Sequence, residues 1–116
     1  MAFIRTSDIE VRHPRPGWDS RFFHSDHMTF TYAEVAAGAD VHEHRHVQEE
    51  VFFVIEGDLE IRIGDEVALV HAGDAAVVLT GVAHAIRAVA SCRLLVVDHP
   101  QRESVGGVPT GADPHA

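Results

Sequence analysis

The sequence predicts an all-β fold in a single domain, a sandwich or barrel of short strands, and three observations carry the prediction. The middle of the chain is a succession of short segments rich in Val, Ile and Phe, Gly-Asp and Ala-Gly pairs punctuate them at close intervals, and no segment sustains a helical apolar period. In chain order the candidate strands are MTFTYAEVA, DVHEHRH, EVFFVIEG, LEIRIGD, EVALVHAGD, AAVVL, HAIRAV and CRLLVVD. EGD at 56–58, IGDE at 63–66 and AGD at 72–74 are the expected turns, with Gly supplying the positive φ that such turns often need.

Each element has its own reading. In MTFTYAEVA, Phe30 and Tyr32 alternate with Thr29 and Thr31, and the aromatic row is expected to point inward as core or pocket floor. In DVHEHRH, residues two apart share a face, so His42, His44 and His46 are expected in one row, with Glu43 and Arg45 opposite. EVFFVIEG opens on Glu50, four residues after His46, and a turn between them brings the carboxylate beside the imidazoles. LEIRIGD and HAIRAV carry Arg62 and Arg87, read as outward-facing arginines, the other reading being a bidentate fork for a substrate carboxylate. HAIRAV begins with His84 directly after the Gly81 turn, so it approaches the same point from another hairpin. In SCRLLVV, Cys92 reads as a buried, inert thiol.

The ends differ from the middle. Residues 1–27 are read as an N-terminal arm, because RHPRPGWDSRFFHSDH holds two prolines, a glycine and several aromatics. Trp18, Phe22 and Phe23 need cover, either by closing one end of the barrel or by packing on a second subunit, and a homodimer sharing arms or strand edges is expected. The barrel is placed at 28–103. Residues 104–116, SVGGVPTGADPHA without its first few positions almost devoid of large apolar side chains, are read as a flexible tail.

Composition narrows the partners. A chain of 116 residues fits one domain, and 46% hydrophobic residues is a foldable composition. The formal charge of −9 excludes nucleic acid and anionic membrane as expected partners, since both require a basic face. All nine basic residues are Arg, so Schiff-base chemistry through a lysine is excluded. No apolar stretch approaches the ~20 residues that span a bilayer, and MAFIRTSDIE lacks a signal-peptide pattern, so a cytoplasmic location is expected.

The chemistry is concentrated in GADVHEHRHVQEEVFFVIEG. Neutral imidazoles gathered with one carboxylate suit one divalent transition ion, Fe, Mn, Ni, Cu or Zn, with positions left for water or a small-molecule substrate. The stretch fits G-x5-H-x-H-x3-E-x6-G at Gly38, His44, His46, Glu50 and Gly57, and resembles the first motif of the cupins. The second cupin motif, G-x5-P-x-G-x2-H-x3-N, is matched at Gly73, Gly81 and His84 and departs at Leu79 and Ala88. The resemblance implies a double-stranded β-helix, or jelly roll, with one metal ion per chain held inside by His44, His46, Glu50 and His84. It also implies that Phe52 and Val54 line the cavity with Glu50, while Val51, Phe53 and Ile55 pack behind the sheet. His42 is left between a role at the cavity mouth and an exposed edge; His13, His24, His27, His71, His99 and His115 are read as surface or structural.

The ending LLVVDHPQRESV, with the GWDSRFF arm, is similar to small cupins of the pectin-degradation type, which linearise unsaturated uronates. In that group the ending runs approximately D-x-F-x-P-P-R-E. Alignment on Arg102 puts Val96 where the group has Asp and Asp98 where it has Phe, so the resemblance makes Asp98 and Arg102 the candidate catalytic residues, Asp98 from a neighbouring position. Three function classes follow: a metal-dependent lyase or isomerase on a small polar, sugar-acid-like substrate, placed first; a cupin-type dioxygenase; and a non-catalytic small-molecule binding or sensing cupin.

Overall fold

The computed structural model describes residues 3–112. After a 3₁₀ turn at Thr6–Asp8 come strands β1 (Trp18–His24), β2 (Thr29–Val35), β3 (Asp40–His44), β4 (Glu49–Glu56), β5 (Asp58–Ile63), β6 (Glu66–His71), β7 (Ala75–Val78), β8 (His84–Ala88) and β9 (Cys92–His99), then a small hairpin of β10 (Ser104–Val105) and β11 (Val108–Pro109). All pairings are antiparallel, in a five-stranded sheet of order β1-β2-β9-β4-β7 and a four-stranded sheet of order β3-β8-β5-β6. The chain passes from one sheet to the other as it winds, so β2 lies beside β9 and β4 between β9 and β7. This is a jelly roll. No helix among the described residues is long and apolar enough to cross a membrane.

The core lies between the sheets, where Val54, Leu59, Ile61, Val78 and Leu94 are fully buried. Alternation puts them there: on β9, Cys92, Leu94, Val96 and Asp98 turn inward, and on β4, Glu50, Phe52 and Val54 do the same. On β2 the expected phase is reversed. Thr29, Thr31, Ala33 and Val35 face inward and Phe30 and Tyr32 outward. A physical reason is visible at Thr29, whose Oγ1 accepts the backbone N–H of Arg102 at 2.9 Å. The small threonines also leave room inside, while Phe30 stacks on Phe23 outside with ring centroids 4.9 Å apart.

At the N-terminal end one expectation is corrected. The arm contains β1, a regular edge strand paired with β2 from Trp18↔Val35 to His24↔Thr29. The Pro-Arg-Pro-Gly cluster precedes the strand without interrupting it. Trp18 and Phe22 are buried inside their own barrel, so these two aromatics need no second subunit for cover. Within the segment read as tail, Thr110 is buried, its hydroxyl donates to the Arg102 carbonyl, and it is hydrogen-bonded to His24 Nε2. The remainder of the predicted tail, His115 included, lies outside the described residues.

Behind the five-stranded sheet, Phe53 and Ile55 do face away from Glu50, but they remain 41% and 37% exposed. Cys92 is buried, its thiol donates to the carbonyls of Asp58 and Ala90, and burial pushes its pKa up, which makes it a poor nucleophile. It packs beneath Gly57, whose φ of 89° makes the turn from β4 into β5. A Cβ at Gly57 would strike the Ser91 carbonyl oxygen and the Cys92 Cα. Gly57→Ala is therefore expected to destabilise the fold by roughly 2–4 kcal/mol, combining left-handed backbone strain with a backbone clash. Urea unfolding checks this, and an unchanged midpoint would contradict the close approach at this turn.

Candidate metal centre

β3 does not run as a simple pleat. Val41 pairs with Ile86 and His44 with His84, so three steps on β3 match two on β8, which is a β-bulge. The bulge places both Val41 and His44 along the interior cavity and leaves His42 exposed. The expected row of His42, His44 and His46 is thus broken, because the extra residue resets which face each side chain takes. His46 lies beyond the end of β3, in the connection to β4, and still reaches the same point.

His44, His46 and His84 offer nitrogen atoms that all lie within 4.8 Å of one another, and their rings cluster with centroids 4.3 to 5.5 Å apart. A common local device orients all three. His44 Nδ1 donates to the His42 carbonyl at 2.8 Å, His46 Nδ1 to the Gln48 carbonyl at 2.9 Å and His84 Nδ1 to the Val82 carbonyl at 2.9 Å. A carbonyl oxygen only accepts, so each Nδ1 carries the proton and each Nε2 is the ring atom left to bind.

Glu50 completes the cluster from β4 and is 4% exposed. Its Oε1 is 3.2 Å from His84 Nε2 and 3.5 Å from His46 Nε2, and its Oε2 is 3.5 Å from Arg102 Nη1. Two ligand atoms bonded to one ion at about 2.1 Å stand roughly 3.0–3.4 Å apart at octahedral to tetrahedral angles, so this spacing is close to what a shared ion requires. His46 Nε2 is buried without a hydrogen-bond partner, an orphan that coordination would satisfy. The donor set and its orientation fit a divalent transition ion.

Asp98 stands directly across from Glu50, on β9, and is 1% exposed. Burial, then the hydrogen bond and charge of Glu50, push its pKa up to about 9, against the opposing pull of Arg102. Burial alone would raise Glu50 too, but the close imidazoles of His46 and His84 and the neighbouring Asp98 outweigh it and hold Glu50 well below the ordinary carboxylate range. Burial likewise lowers His84, and its hydrogen bond to Glu50 more than reverses that, leaving it raised; at His44 burial prevails and the pKa is lowered. The two facing carboxyls are thus pushed apart, Asp98 toward its neutral form and Glu50 toward its charged one.

A pocket of about 450 Å³, open mouth included, leads to this cluster. Trp18, Phe52, Ile86 and Val96 form its apolar wall, and His44, Glu50, Asp98 and Arg102 its polar one. Phe52 lines it as expected; Val54 is buried in the core and is not at the cavity. Tyr32 and Arg62 project away from the pocket. Arg15, which the sequence reading passed over, also lines it. Its guanidinium feels the charges of both Arg102 and Glu50, which places a second cation beside the first. Nothing in HPRPG announces that role, since it depends on the arm folding back over the barrel mouth.

A jelly roll with three carbonyl-oriented imidazoles and a buried carboxylate inside defines a class of metal-site β-barrels. The description of the cupin domain matches residues 31–98, and the chain belongs to the cupin family. No curated protein matches it by sequence. Among solved structures it is similar to an RmlC-like cupin from Shewanella frigidimarina, at TM-score 0.83 and 20% identity over 89% of this chain and 94% of that one. It is similar to KdgF from Halomonas sp., at TM-score 0.81 and 20% identity over 89% and 96% of the two chains. It also resembles a Bacillus subtilis oxalate decarboxylase, at TM-score 0.75 and 23% identity over 84% of this chain and 29% of that one. At these identities the likenesses establish the fold.

The purified protein is expected to carry about one transition ion per chain, and the double substitution His44→Ala/His46→Ala to lose it, since two remaining ligands hold an ion weakly. Elemental analysis after exhaustive dialysis checks this. Undiminished metal in the double variant would contradict the ligand set.

Proposed function

We propose that this cupin is a metal-dependent lyase or isomerase acting on a small, anionic, sugar-acid-like substrate. The observation that carries the reading is the buried Asp98 carboxyl set directly across from Glu50, at a pocket that also holds Arg102 and Arg15. Proton transfer and carboxylate binding are the two tasks such a reaction sets.

His44, His46, Glu50 and His84 would hold the ion, which when bound supplies Lewis-acid polarisation of a carbonyl or hydroxyl oxygen. Arg102 is fixed by its backbone bond to Thr29 and its contact with Glu50 Oε2, and its remaining guanidinium donors orient a substrate carboxylate by paired hydrogen bonds. Arg15 adds positive charge at the same pocket, so an acidic protein keeps a locally cationic entrance to its site. Asp98 acts through a carboxyl oxygen, giving its proton to the substrate or taking one, with Oδ1 free of any other partner. The wall of Trp18, Phe52 and Val96 limits water around the transferred proton. The same ligands serve dioxygenases and binding cupins, but a buried carboxyl held protonated is a feature that proton transfer uses and those classes do not require.

Unsaturated uronates and related small sugar acids are the substrates to screen, with oxygen uptake followed in parallel. With a substrate in hand, Asp98→Asn should lower kcat by about 10²–10⁴ at unchanged metal content. Arg102→Ala should act mainly on KM. Substrate-dependent oxygen consumption, or wild-type kinetics in both variants, would contradict the proposal.

A further inference from the structure

Six buried polar side-chain atoms lack a hydrogen-bond partner among the described residues. The Nε atoms of Arg21 and Arg93 lie on the outer side of the five-stranded sheet, since both residues alternate with inward-facing neighbours. Coordination would satisfy His46 Nε2, and proton transfer uses Asp98 Oδ1. Trp18 Nε1 and Ser20 Oγ are left without a task. Both come from β1, where alternation turns Trp18 and Ser20 inward and Asp19 outward. Trp18 is 7% and Ser20 0% exposed, and both line the pocket.

Neither polar atom is needed for the fold. The cross-strand row through Ser20 reads Ser20↔Ala33↔Leu94↔Val54, and its three other members are fully buried apolar side chains. A hydroxyl unmatched in such a row costs stability that alanine would not. A phenylalanine in place of Trp18 would likewise offer an aromatic wall without a buried N–H to match.

We infer that Trp18 Nε1 and Ser20 Oγ form a hydroxyl-binding subsite for the far end of a sugar acid whose carboxylate Arg102 holds, an assignment that rests on the proposed sugar-acid reading and extends it beyond the reacting end. An indole N–H only donates and a serine hydroxyl donates and accepts, so the complementary group accepts from Trp18 and donates to Ser20. An alcohol does both; a carboxylate only accepts, and an alkyl group does neither. Residues two apart on a strand stand roughly 7 Å apart, near enough for one hydroxyl, or two neighbouring ones, to meet both. Register sets the length of the ligand. Asp98 pairs with Thr29 and Ser20 with Ala33, four residues further along β2, roughly 13 Å of strand. A six-carbon acid about 6 Å long with a hydrogen bond of about 2.8 Å at each end covers most of that span, and a two-carbon acid does not.

The chain has one tryptophan, so its indole N–H gives a single cross-peak in a proton–nitrogen NMR spectrum and reports on the subsite directly. The zinc-loaded, isotope-labelled full chain is titrated with D-galacturonate and, separately, with cyclohexanecarboxylate, which keeps a six-membered ring and a carboxylate but has no hydroxyl group. Galacturonate should move the indole proton downfield, as hydrogen bonding does, and cyclohexanecarboxylate should bind without that shift. Ser20→Ala and Trp18→Phe should each weaken galacturonate about 10-fold and leave cyclohexanecarboxylate unchanged. Ser20→Ala should also melt at or above the wild-type temperature, because no hydrogen bond is lost. An indole proton unmoved at high millimolar galacturonate, wild-type galacturonate affinity in Ser20→Ala, or a marked drop in its melting temperature would overturn the subsite. Arg102→Ala separates the subsite from the reading on which it rests: it should weaken both acids, and if it weakens neither while the galacturonate shift persists, the subsite stands and the carboxylate role of Arg102 fails.

Discussion

Three short hydrogen bonds determine what the barrel interior can do. In each, an imidazole Nδ1 donates to a main-chain carbonyl only two residues away, at His42 for His44, Gln48 for His46 and Val82 for His84. Because the partner is backbone, the tautomer is set by the local fold and not by a side chain that could swing away. The bulge in β3, the connection before β4 and the turn before β8 all bend the chain so that a carbonyl meets its own neighbour's ring. Without those bonds the rings would be free to offer either nitrogen, and the cluster would be a group of histidines and not a ligand set.

Glu50 joins that set to the remainder of the pocket. One buried carboxylate faces two imidazoles on one oxygen, Arg102 on the other, and Asp98 across the strand pair. An isolated carboxylate so deeply buried would be costly, and the surrounding donors make its charge tolerable. The two carboxyls pull stability in opposite directions with pH. Asp98, raised to about 9, contributes fully below the ordinary carboxylate range and loses that contribution as pH climbs toward 9. Glu50, lowered, contributes above that range and loses its part only in acid. Metal binding at Glu50 would alter this balance, which couples the site to the proton on Asp98.

Much of this was legible in the sequence, for physical reasons that also mark where legibility ended. Strand alternation and glycine turns are local, so the all-β class and the order of strands could be read directly. The spacing of His44, His46, Glu50 and His84 is likewise local, being fixed by a turn and a strand start. The phase of β2 was not legible, because Thr29 is turned inward by a bond to Arg102, 73 residues away. The single row of His42, His44 and His46 did not survive because a bulge inserts a residue that no composition announces, and of the two readings left open for His42 the exposed edge is the one found. The arm concealed β1 because proline and glycine sit just before Trp18 and set the tone of the whole segment. Arg15 was invisible for the same kind of reason as β2, since its place at the pocket depends on tertiary folding of the arm.

Metal binding at this cluster depends on which nitrogen of each ring is presented to the ion. Proton–nitrogen NMR correlation spectra of isotope-labelled protein loaded with zinc, a diamagnetic member of the candidate set, read this directly. The result expected is that His44, His46 and His84 all keep a proton on Nδ1 and coordinate through Nε2. Coordination of any of the three through Nδ1, or a proton remaining on Nε2 in the loaded protein, would contradict it.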